Sequence, residues 1–422
     1  MKELNALKKY CGINDKMLDL IEKTELEISG FLRETEKISA VNSLKVLNAF
    51  HKHNISEAHF VPTTGYGYDD LGRETLDKVY ADVFGAEAAL VRHNIVSGTH
   101  AISLCLYGVL RPGDTLVAVT GKPYDTLEEV IGIRGEKGNG SLKDFGVNYK
   151  QVDLINGKVD FEGIKNAIDP SCKAVEIQRS KGYGWRKSFT ISDIEEIISF
   201  VKSIRSDIIC IVDNCYGEFV EEKEPTDVGA DLVVGSLIKN PGGGLARSGG
   251  YIAGTKKCVD LVANRFTCPG QGSEGGATLG ETRHMFQGLF LAPHTVCQAI
   301  KSAALCGALC ENLGYKVIPE KGEMRTDIIQ AIQLGSEEKM IKFCRGIQKG
   351  SPIDSFVVPS PSEMPGYESK VIMAAGAFTQ GSSIEISADG PIREPFTVYY
   401  QGGLTYETAK AAIAIAINNI ME

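Results

Sequence analysis

Two residues that could carry chemistry stand at the ends of neighbouring apolar segments. Asp213 closes the β-branched stretch Ile208–Val212. Lys239 follows the apolar stretch Leu232–Ile238, one α/β step later, and runs into a proline and three glycines at 241–244. A lysine at the mouth of a strand can form a Schiff base with an aldehyde, and a carboxylate on the next strand can keep a pyridine nitrogen protonated.

These two groups are what catalysis with pyridoxal phosphate needs, because the protonated ring of that cofactor stores the electrons of a carbanion. At ~4 Å and an effective dielectric near 20, a carboxylate–pyridinium pair gains on the order of 4 kcal/mol, which is enough to set the protonation state. Burial is expected to lower the pKa of Lys239 toward nucleophilic use. Each residue also has an ordinary alternative: Asp213 could form an Asx turn with Asn214, and Lys239 could be a solvated loop residue.

A phosphate group would find donors at Ser97, Gly98 and Thr99, which open a predicted helix. The free N–H groups of a helix start, with about half a positive charge from the dipole, suit an anion, and Gly98 lets the backbone approach closely. Ser97 could equally be an ordinary helix cap. Ser236, three residues before Lys239, could bind the same phosphate.

Two further side chains are candidates for contact with the ring and the substrate. Tyr124 follows the predicted strand 114–119 and could stack on a pyridine ring or protonate a leaving group; the alternative is a half-buried loop aromatic. Arg393 lies near the C-terminus, and its planar guanidinium suits the carboxylate of an amino acid. The alternative for Arg393 is an ordinary surface arginine.

Composition narrows the class of protein. The 422 residues, 43% hydrophobic and 23% charged, predict a globular protein with two or more domains. The net charge of -9 and the lack of a basic run argue against nucleic-acid binding, and no apolar run could span a membrane. Eleven scattered cysteines without a CxxC pair predict buried thiols in the cytoplasm. We expect no metal site, since the closest histidines, His51 and His53, lack a third ligand nearby.

The elements that must position these residues alternate between short apolar strands and amphipathic helices. We predict strands at 88–91, 114–119, 147–152, 174–177, 208–213, 232–235 and 250–253, with helices at 97–110, 127–134, 161–168 and 191–205. This alternation predicts an α/β fold with a mostly parallel sheet covered on both faces.

Three parts of the chain are expected. Residues 56–292 form a large cofactor-binding domain, and 293–422 form a smaller α+β domain that starts with a long helix from Pro293 to Leu313. Residues 1–55 are mostly helical and too few for a core of their own, so they should pack on a partner or on the small domain. The GxGxxG match at 270–275 follows Cys268-Pro269 rather than a strand, which indicates a loop and not a dinucleotide site.

In their order and number, these motifs resemble the fold-type I pyridoxal phosphate enzymes of Cys/Met metabolism. Within that group the chain is most similar to the methionine gamma-lyase-like branch, also labelled aluminium resistance protein or cystathionine beta-lyase-like protein. Besides the motifs above, the resemblance is carried by four stretches, Gly65–Glu74, Gln178–Tyr183, Met285–His294 and Ser382–Glu385. It covers the chain from about His59 to about Ile413.

The resemblance implies a role for each candidate. Lys239 would be the Schiff-base lysine, Asp213 the pyridinium partner, Gly98, Thr99 and Ser236 the phosphate ligands, Tyr124 the stacking residue and Arg393 the anchor of the substrate carboxylate. It also implies a homodimer or homotetramer in which a tyrosine and an arginine, two residues apart, complete the partner's site. Here Tyr68 fits, but the arginine position holds Asp70, so Arg73 is the candidate replacement. An expected asparagine–proline pair is replaced by Gln178-Arg179-Ser180.

The predicted function is a pyridoxal phosphate-dependent carbon–sulfur lyase for a sulfur-containing amino acid, of the methionine gamma-lyase or cystathionine beta-lyase type. An aminotransferase or aldolase on the same scaffold is one alternative, because cofactor motifs do not fix which bond is cleaved. A non-catalytic regulatory or binding protein with this fold is another, although the intact Lys239 and Asp213 argue against it.

Overall fold

The computed structural model describes residues 2–364 and 369–421. The strands of this part form two sheets. The first contains β1 (Ala88–Arg92), β2 (Thr115–Ala118), β3 (Asn148–Gln151), β4 (Cys172–Gln178), β5 (Ile209–Asp213), β6 (Leu232–Ser236) and β7 (Gly250–Gly254). The second contains β8 (Lys316–Ile318), β9 (Ile329–Gln333), β10 (Val371–Ala374), β11 (Ser387–Pro391) and β12 (Thr397–Gln401).

The helices connect and cover these sheets. In chain order they are α1 (Lys2–Cys11), α2 (Asp15–Lys52), α3 (Leu71–Val83), α4 (Gly98–Val109), α5 (Leu127–Ile131), α6 (Phe161–Ala167), α7 (Ile191–Ile204), α8 (Lys256–Phe266), α9 (Thr282–Asn312), α10 (Glu337–Gly350) and α11 (Tyr406–Met421). Among the described residues, no helix has the length and apolar character needed to cross a bilayer.

The large sheet has the strand order β1-β7-β6-β5-β4-β2-β3, and β2 to β6 run parallel to one another. The predicted mostly parallel α/β sheet is therefore confirmed. Only β7 runs antiparallel to both of its neighbours. A parallel pairing of β6 and β7 would need a crossover helix, and the connection at 237–249 holds no α-helix.

Both faces of this sheet are buried, as expected of a parallel sheet. Alternate residues of one strand go to different cores: Val175 and Val212 pack on one face, whereas Ala174 and Ile211 pack on the other. The first core also contains residues of α3, α7 and α9, and the second contains residues of α4 and α8. Helices thus cover both faces of the sheet, and the carboxyl edge of its parallel strands is where a ligand could bind.

The long helix α9 begins at Thr282 instead of at Pro293, so the predicted boundary between the two domains falls inside a helix. Proline is common at the first position of a helix, which favours a start there. In the structure Pro293 lies within α9, because Met285, Phe286 and Leu289 of the preceding turns are buried in the core of the large domain.

The small sheet is antiparallel throughout, in the order β10-β11-β12-β9-β8, and packs against α10 and α11. The N-terminal helix α2 packs along α9 and joins both cores. Its Ile21 and Ile28 are buried with the small domain, and its Val46 and Ala49 with the large one. The first 55 residues therefore pack on their own chain, against the large domain as well as the small one.

Candidate active site

Seven of the residues predicted to act together line one cavity at the carboxyl edge of the large sheet. Parallel strands end at the same side of a sheet, and Asp213 and Ser236 are the last residues of β5 and β6. The cavity has a volume of about 180 Å³. The seven residues are Ser97, Gly98, Thr99, Tyr124, Asp213, Ser236 and Lys239.

Lys239 is half-buried in the wall of this cavity, and its Nζ lies 4.0 Å from the centre of the Tyr216 ring. Burial lowers the pKa of the Lys239 amine, but Cys215, Tyr216 and Asp213 raise it by more than burial lowers it, so the net shift is upward. The predicted lowering of the Lys239 pKa is therefore wrong for the cofactor-free site. Burial also raises the pKa of the Cys215 thiol and of the Tyr216 phenol.

Asp213 is buried, and its Oδ1 accepts a hydrogen bond of 3.1 Å from the backbone N–H of Cys215. This bond, from the residue two positions later, is the contact of an Asx turn. The structure combines this turn with a functional position, since the carboxyl group also lines the cavity. Burial raises the pKa of Asp213, whereas the charge of Lys239 lowers it. A cationic ring nitrogen beside Asp213 would favour the carboxylate in the same way.

The start of α4 forms another wall of the cavity. The Ser97 Oγ accepts a hydrogen bond of 3.0 Å from the N–H of His100, so this serine caps the helix as well as facing the cavity. The Thr99 and Thr126 hydroxyl oxygens are 2.6 Å apart. A Cβ on Gly98 would lie 3.2 Å from the Cys215 Sγ, so a larger residue would crowd the space in which an anion could approach the first N–H groups.

The glycine-rich segment after Lys239 fixes the lysine through close backbone packing. A Cβ on Gly242 would overlap the carbonyl oxygen of Leu237, and one on Gly243 would overlap the carbonyl oxygen of Gly288 in α9. The Asn240 Nδ2 donates a hydrogen bond of 3.0 Å to the Glu218 carbonyl. The glycines thus let the lysine loop lie directly on α9.

The segment Gln178-Arg179-Ser180 serves two sides of the sheet edge. Gln178 and Ser180 line the lysine cavity. Arg179 is fully buried and donates hydrogen bonds of 2.7 Å to the Asn214 Oδ1 and 2.9 Å to the Gly217 carbonyl. It therefore supports the turn that follows Asp213 from beneath.

Several lining residues were missed by sequence reasoning. Cys215 and Tyr216 follow β5 by two and three residues, and Thr126 follows Tyr124 by two. Their signal was their position just after strand ends, where ligands bind in parallel sheets. That signal does not tell which side chains point inward.

A second cavity, of about 120 Å³, adjoins the first on the side of the small sheet. Tyr124 and Tyr216 line both cavities. The second is also lined by Tyr183 and by two residues of the small sheet, Asp389 and Gln401. Sequence analysis did not single out these three. Burial raises the pKa of Asp389 to about 6, while hydrogen bonds from Tyr183 and Gln401 oppose the shift.

Arg393 is not brought into the lysine cavity. Its side chain is exposed and lines a small separate cavity with Lys122, Arg134 and Tyr183. Tyr183 is the link to the second cavity, which it also lines. The role of Arg393 as the carboxylate anchor stays a prediction, since it stands one tyrosine away from the space a substrate would occupy.

The position of Arg73 contradicts its predicted role in binding the phosphate of a partner subunit. Its side chain is buried, and its Nη atoms donate hydrogen bonds to the carbonyls of Gly67, Gly276 and Glu274 at 2.5, 2.8 and 2.9 Å. These donors hold two loops of its own chain together and are not presented to a partner's phosphate. Tyr68, in contrast, is 57% exposed and its ring stacks on that of Tyr66.

Comparison with known proteins gives this site a family. The family model described as methionine gamma-lyase matches residues 17–421. The chain belongs to the methionine gamma-lyase family. The match includes both cavities and all the residues that line them.

Two relatives are similar to this methionine gamma-lyase family member over nearly their whole length. The chain is 54% identical over 409 residues to the uncharacterized protein YnbB of Bacillus subtilis (strain 168), and the match covers 96% of this chain and 97% of that protein. A crystal structure described as a carbon-sulfur lyase involved in aluminum resistance, from Clostridium novyi NT, matches with 53% identity and a TM-score of 0.95. That match covers 99% of this chain and 98% of the other.

More distant matches agree with the fold. The L-methionine gamma-lyase of Treponema denticola is 28% identical over 216 residues, 51% of this chain and 49% of that enzyme. The pyridoxal-5'-phosphate dependent protein YhfS from Escherichia coli is 15% identical with a TM-score of 0.61, over 92% of this chain and 97% of that one, which shows a shared fold. The predicted fold-type I architecture is therefore confirmed, and the resemblance seen in the sequence is a family relationship.

Proposed function

We propose that this chain is a pyridoxal phosphate-dependent carbon–sulfur lyase acting on a sulfur-containing amino acid. One observation carries the proposal: Lys239, Asp213 and the start of α4 face a single cavity at the carboxyl edge of the sheet. Membership of the methionine gamma-lyase family supports the type of reaction. The name of the Clostridium novyi structure, which is 53% identical, supports it as well.

The residues present fit this cofactor. The amine of Lys239 would hold its aldehyde carbon. The carboxylate of the buried Asp213 would accept a hydrogen bond from its protonated pyridine nitrogen. The N–H groups at Gly98 and Thr99, with the Ser236 hydroxyl, would hold its phosphate. Tyr124 would lie against the ring. When bound, pyridoxal phosphate supplies an electron sink for the carbanion formed at the substrate Cα.

The protein's own groups would then move the protons. The amine of Lys239 would take the proton from the substrate Cα. Asp213 would stay ionised beside a protonated ring nitrogen, because a cation there would offset the effect of burial on its pKa, as the charge of Lys239 does. Tyr124 donates a proton to the departing sulfur. In a γ-elimination a second proton must leave Cβ before the thiol departs, whereas in a β-elimination the thiol leaves Cβ directly.

The test is to load the purified protein with pyridoxal phosphate and measure thiol and 2-oxo acid formed from methionine, cystathionine and cysteine. We expect thiol and 2-oxo acid in equal amounts from at least one of them. Lys239→Ala is the control and should release neither. A 2-oxo acid without thiol would instead indicate an aminotransferase.

Attachment of the cofactor is tested separately. Borohydride reduction followed by peptide mass spectrometry should place the pyridoxyl mass on Lys239. The proposal fails if that mass is found on another lysine or on none, whatever the activity of the preparation.

We also propose that the enzyme is a homodimer or homotetramer in which Tyr68 contacts the partner's phosphate site. The stacked, largely exposed rings of Tyr66 and Tyr68 support this, because such an apolar pair gains from burial against another surface. Light scattering should give a mass of two or four chains. Tyr68→Phe should weaken retention of pyridoxal phosphate without changing that mass, and a monomeric enzyme with full activity would rule the arrangement out.

A further inference from the structure

The second cavity continues the lysine cavity toward the small domain. The two share Tyr124 and Tyr216 as common walls. A substrate whose Cα lies near Lys239 must extend the rest of its side chain into some adjoining space. The second cavity offers about 120 Å³ for it, which suits a short chain of a few heavy atoms.

Several buried polar atoms in the wall of this second cavity lack a hydrogen-bond partner among the described residues. They include the hydroxyl oxygens of Ser382, Ser383 and Ser387, which can donate as well as accept. Asp389 and Gln401 are each at least nine-tenths buried, and the Gln401 Nε2 donates a hydrogen bond of 3.1 Å to the Asp389 Oδ2. The Asp389 Oδ1 and the Gln401 Oε1 have no hydrogen-bond partner among the described residues. A buried acceptor without a donor is costly, and these two oxygens, unlike the serine hydroxyls, can only accept, so a ligand that brings donors would satisfy both.

Charge favours the same kind of ligand. Of the described residues that line this cavity, Asp389 is the only one that carries a charge, and none is a lysine, arginine or histidine. The nearby cations Lys122, Arg134 and Arg393 line a different cavity. A carboxylate placed beside Asp389 would be repelled, whereas an ammonium group would be attracted and hydrogen-bonded.

The rest of the wall suits a thioether chain. Ile329 is buried and apolar, and Ala375 and Met373 add further apolar surface. The cavity therefore combines apolar surface with a buried acid.

From this arrangement we propose that the substrate's leaving group carries an ammonium or similar donor group, which Asp389 and Gln401 bind. Resting on the proposed function, this inference narrows the substrate class to amino acids with a thioether chain that ends in a cation. The apolar methyl group of methionine would leave both acceptors without partners.

Cleavage of two matched substrates tests the inference. S-(2-aminoethyl)-L-cysteine and S-propyl-L-cysteine have side chains of equal length and differ in a terminal ammonium or methyl group. With the loaded enzyme we expect kcat/KM to favour the aminoethyl compound by about 10- to 100-fold, the range for a hydrogen bond to a charged group. Asp389→Asn should bring the ratio close to one, mainly by raising KM for the aminoethyl compound.

Two controls separate recognition from folding. Asp389→Asn should keep its kcat/KM for S-propyl-L-cysteine and its retention of pyridoxal phosphate. Glu394→Gln removes an exposed acid from the loop after β11 and should leave the preference unchanged. Loss of activity on both substrates in Asp389→Asn, with the cofactor retained, would give Asp389 a different role and overturn the inference.

A binding measurement makes the inference independent of the lyase activity. L-Lysine and L-2-aminoheptanoate are the sulfur-free equivalents of the two substrates and cannot undergo the cleavage. Calorimetry on the wild-type loaded enzyme should show tighter binding of L-lysine, and this preference should vanish in Asp389→Asn. A preference for lysine without any thiol release would leave the inference standing and overturn only the proposed function. Equal binding of the two compounds would overturn the inference.

Discussion

The amine nitrogen of Lys239 lies 4.0 Å from the centre of the Tyr216 ring. The backbone of Tyr216 has a positive φ, of +75°. A bulky residue rarely adopts a positive φ, and doing so costs on the order of 1–3 kcal/mol. The surrounding structure holds this conformation, since the N–H of Ile328 donates to the Tyr216 carbonyl. A strained tyrosine therefore forms one side of the lysine's environment and a shared wall of the two cavities.

Replacing Tyr216 should separate strain from function. The free energy of unfolding of Tyr216→Gly should exceed that of Tyr216→Ala by about 1 kcal/mol, because glycine readily adopts a positive φ and alanine does not. Tyr216→Gly should therefore unfold at the higher temperature. This order is the reverse of the usual one within helices and strands. Both variants should lose activity, because neither supplies the ring. Thermal unfolding checks the order, and an alanine variant more stable than the glycine variant would contradict the strain.

Asp213→Asn should leave the cofactor attached and slow the chemistry. Asparagine keeps the shape of the side chain but cannot hold a ring nitrogen protonated. With an interaction of about 4 kcal/mol at stake, the rate could fall by up to about 1,000-fold. Rates of thiol release from the best substrate check this, and borohydride reduction should still place the pyridoxyl mass on Lys239. A rate within a few-fold of wild type would mean that Asp213 does not contact the ring.

Gly242→Ala should destabilise the protein and loosen the lysine loop. The added methyl group would overlap the Leu237 carbonyl oxygen, and backbone atoms cannot move aside as a flexible side chain can. We expect a loss of at least about 2 kcal/mol, typical of overpacking in a core. Gly30→Ala is the matched control: this glycine lies within α2, and apart from the adjacent backbone of its own helix nothing lies within 4 Å of its added Cβ, so stability should stay equal or rise. Thermal unfolding and cofactor retention measure both.

The preference for a cationic side chain should depend on pH through Asp389. Burial raises the pKa of this acid to about 6, so it is mostly neutral at pH 5 and mostly ionised at pH 7.5. The ratio of kcat/KM for S-(2-aminoethyl)-L-cysteine over S-propyl-L-cysteine should therefore rise with pH and level off above about 7, as kcat/KM reports ionisations of the free enzyme. Taking the ratio cancels titrations that affect both substrates alike.

The surroundings of Asp389 show why this titration should be visible. The groups that act on it or that it acts on are Tyr183, Gln401, Tyr399, Lys239, Tyr216 and Cys344. Burial raises the pKa of the Tyr399 and Tyr216 phenols and of the Cys344 thiol, so these stay neutral between pH 5 and 8. In Asp389→Asn the ratio should be flat across this range. A slope that persists in that variant would assign the titration to another group.

Much of the fold was determined by patterns that a single chain displays. Apolar runs of four to seven residues, separated by amphipathic helices, predicted the strands of the large sheet, because a buried parallel strand must be apolar on both faces. The position of Asp213 and Lys239 at the ends of two such strands followed from the same pattern. Their convergence needed no further information, since parallel strands end at one edge.

The tertiary structure decided what depends on residues distant along the chain. The start of α9 at Thr282 was set by a core that only folding assembles, and the upward pKa shift of Lys239 was set by acidic groups gathered around it. The direction of Arg73 depended on loops at 67 and 274–276 that take up its hydrogen bonds. The second cavity joins Tyr124 to Asp389 and Gln401, more than 260 residues later. Sequence periodicity shows which face of an element is buried, but not which polar side chains meet when two domains close around the same space.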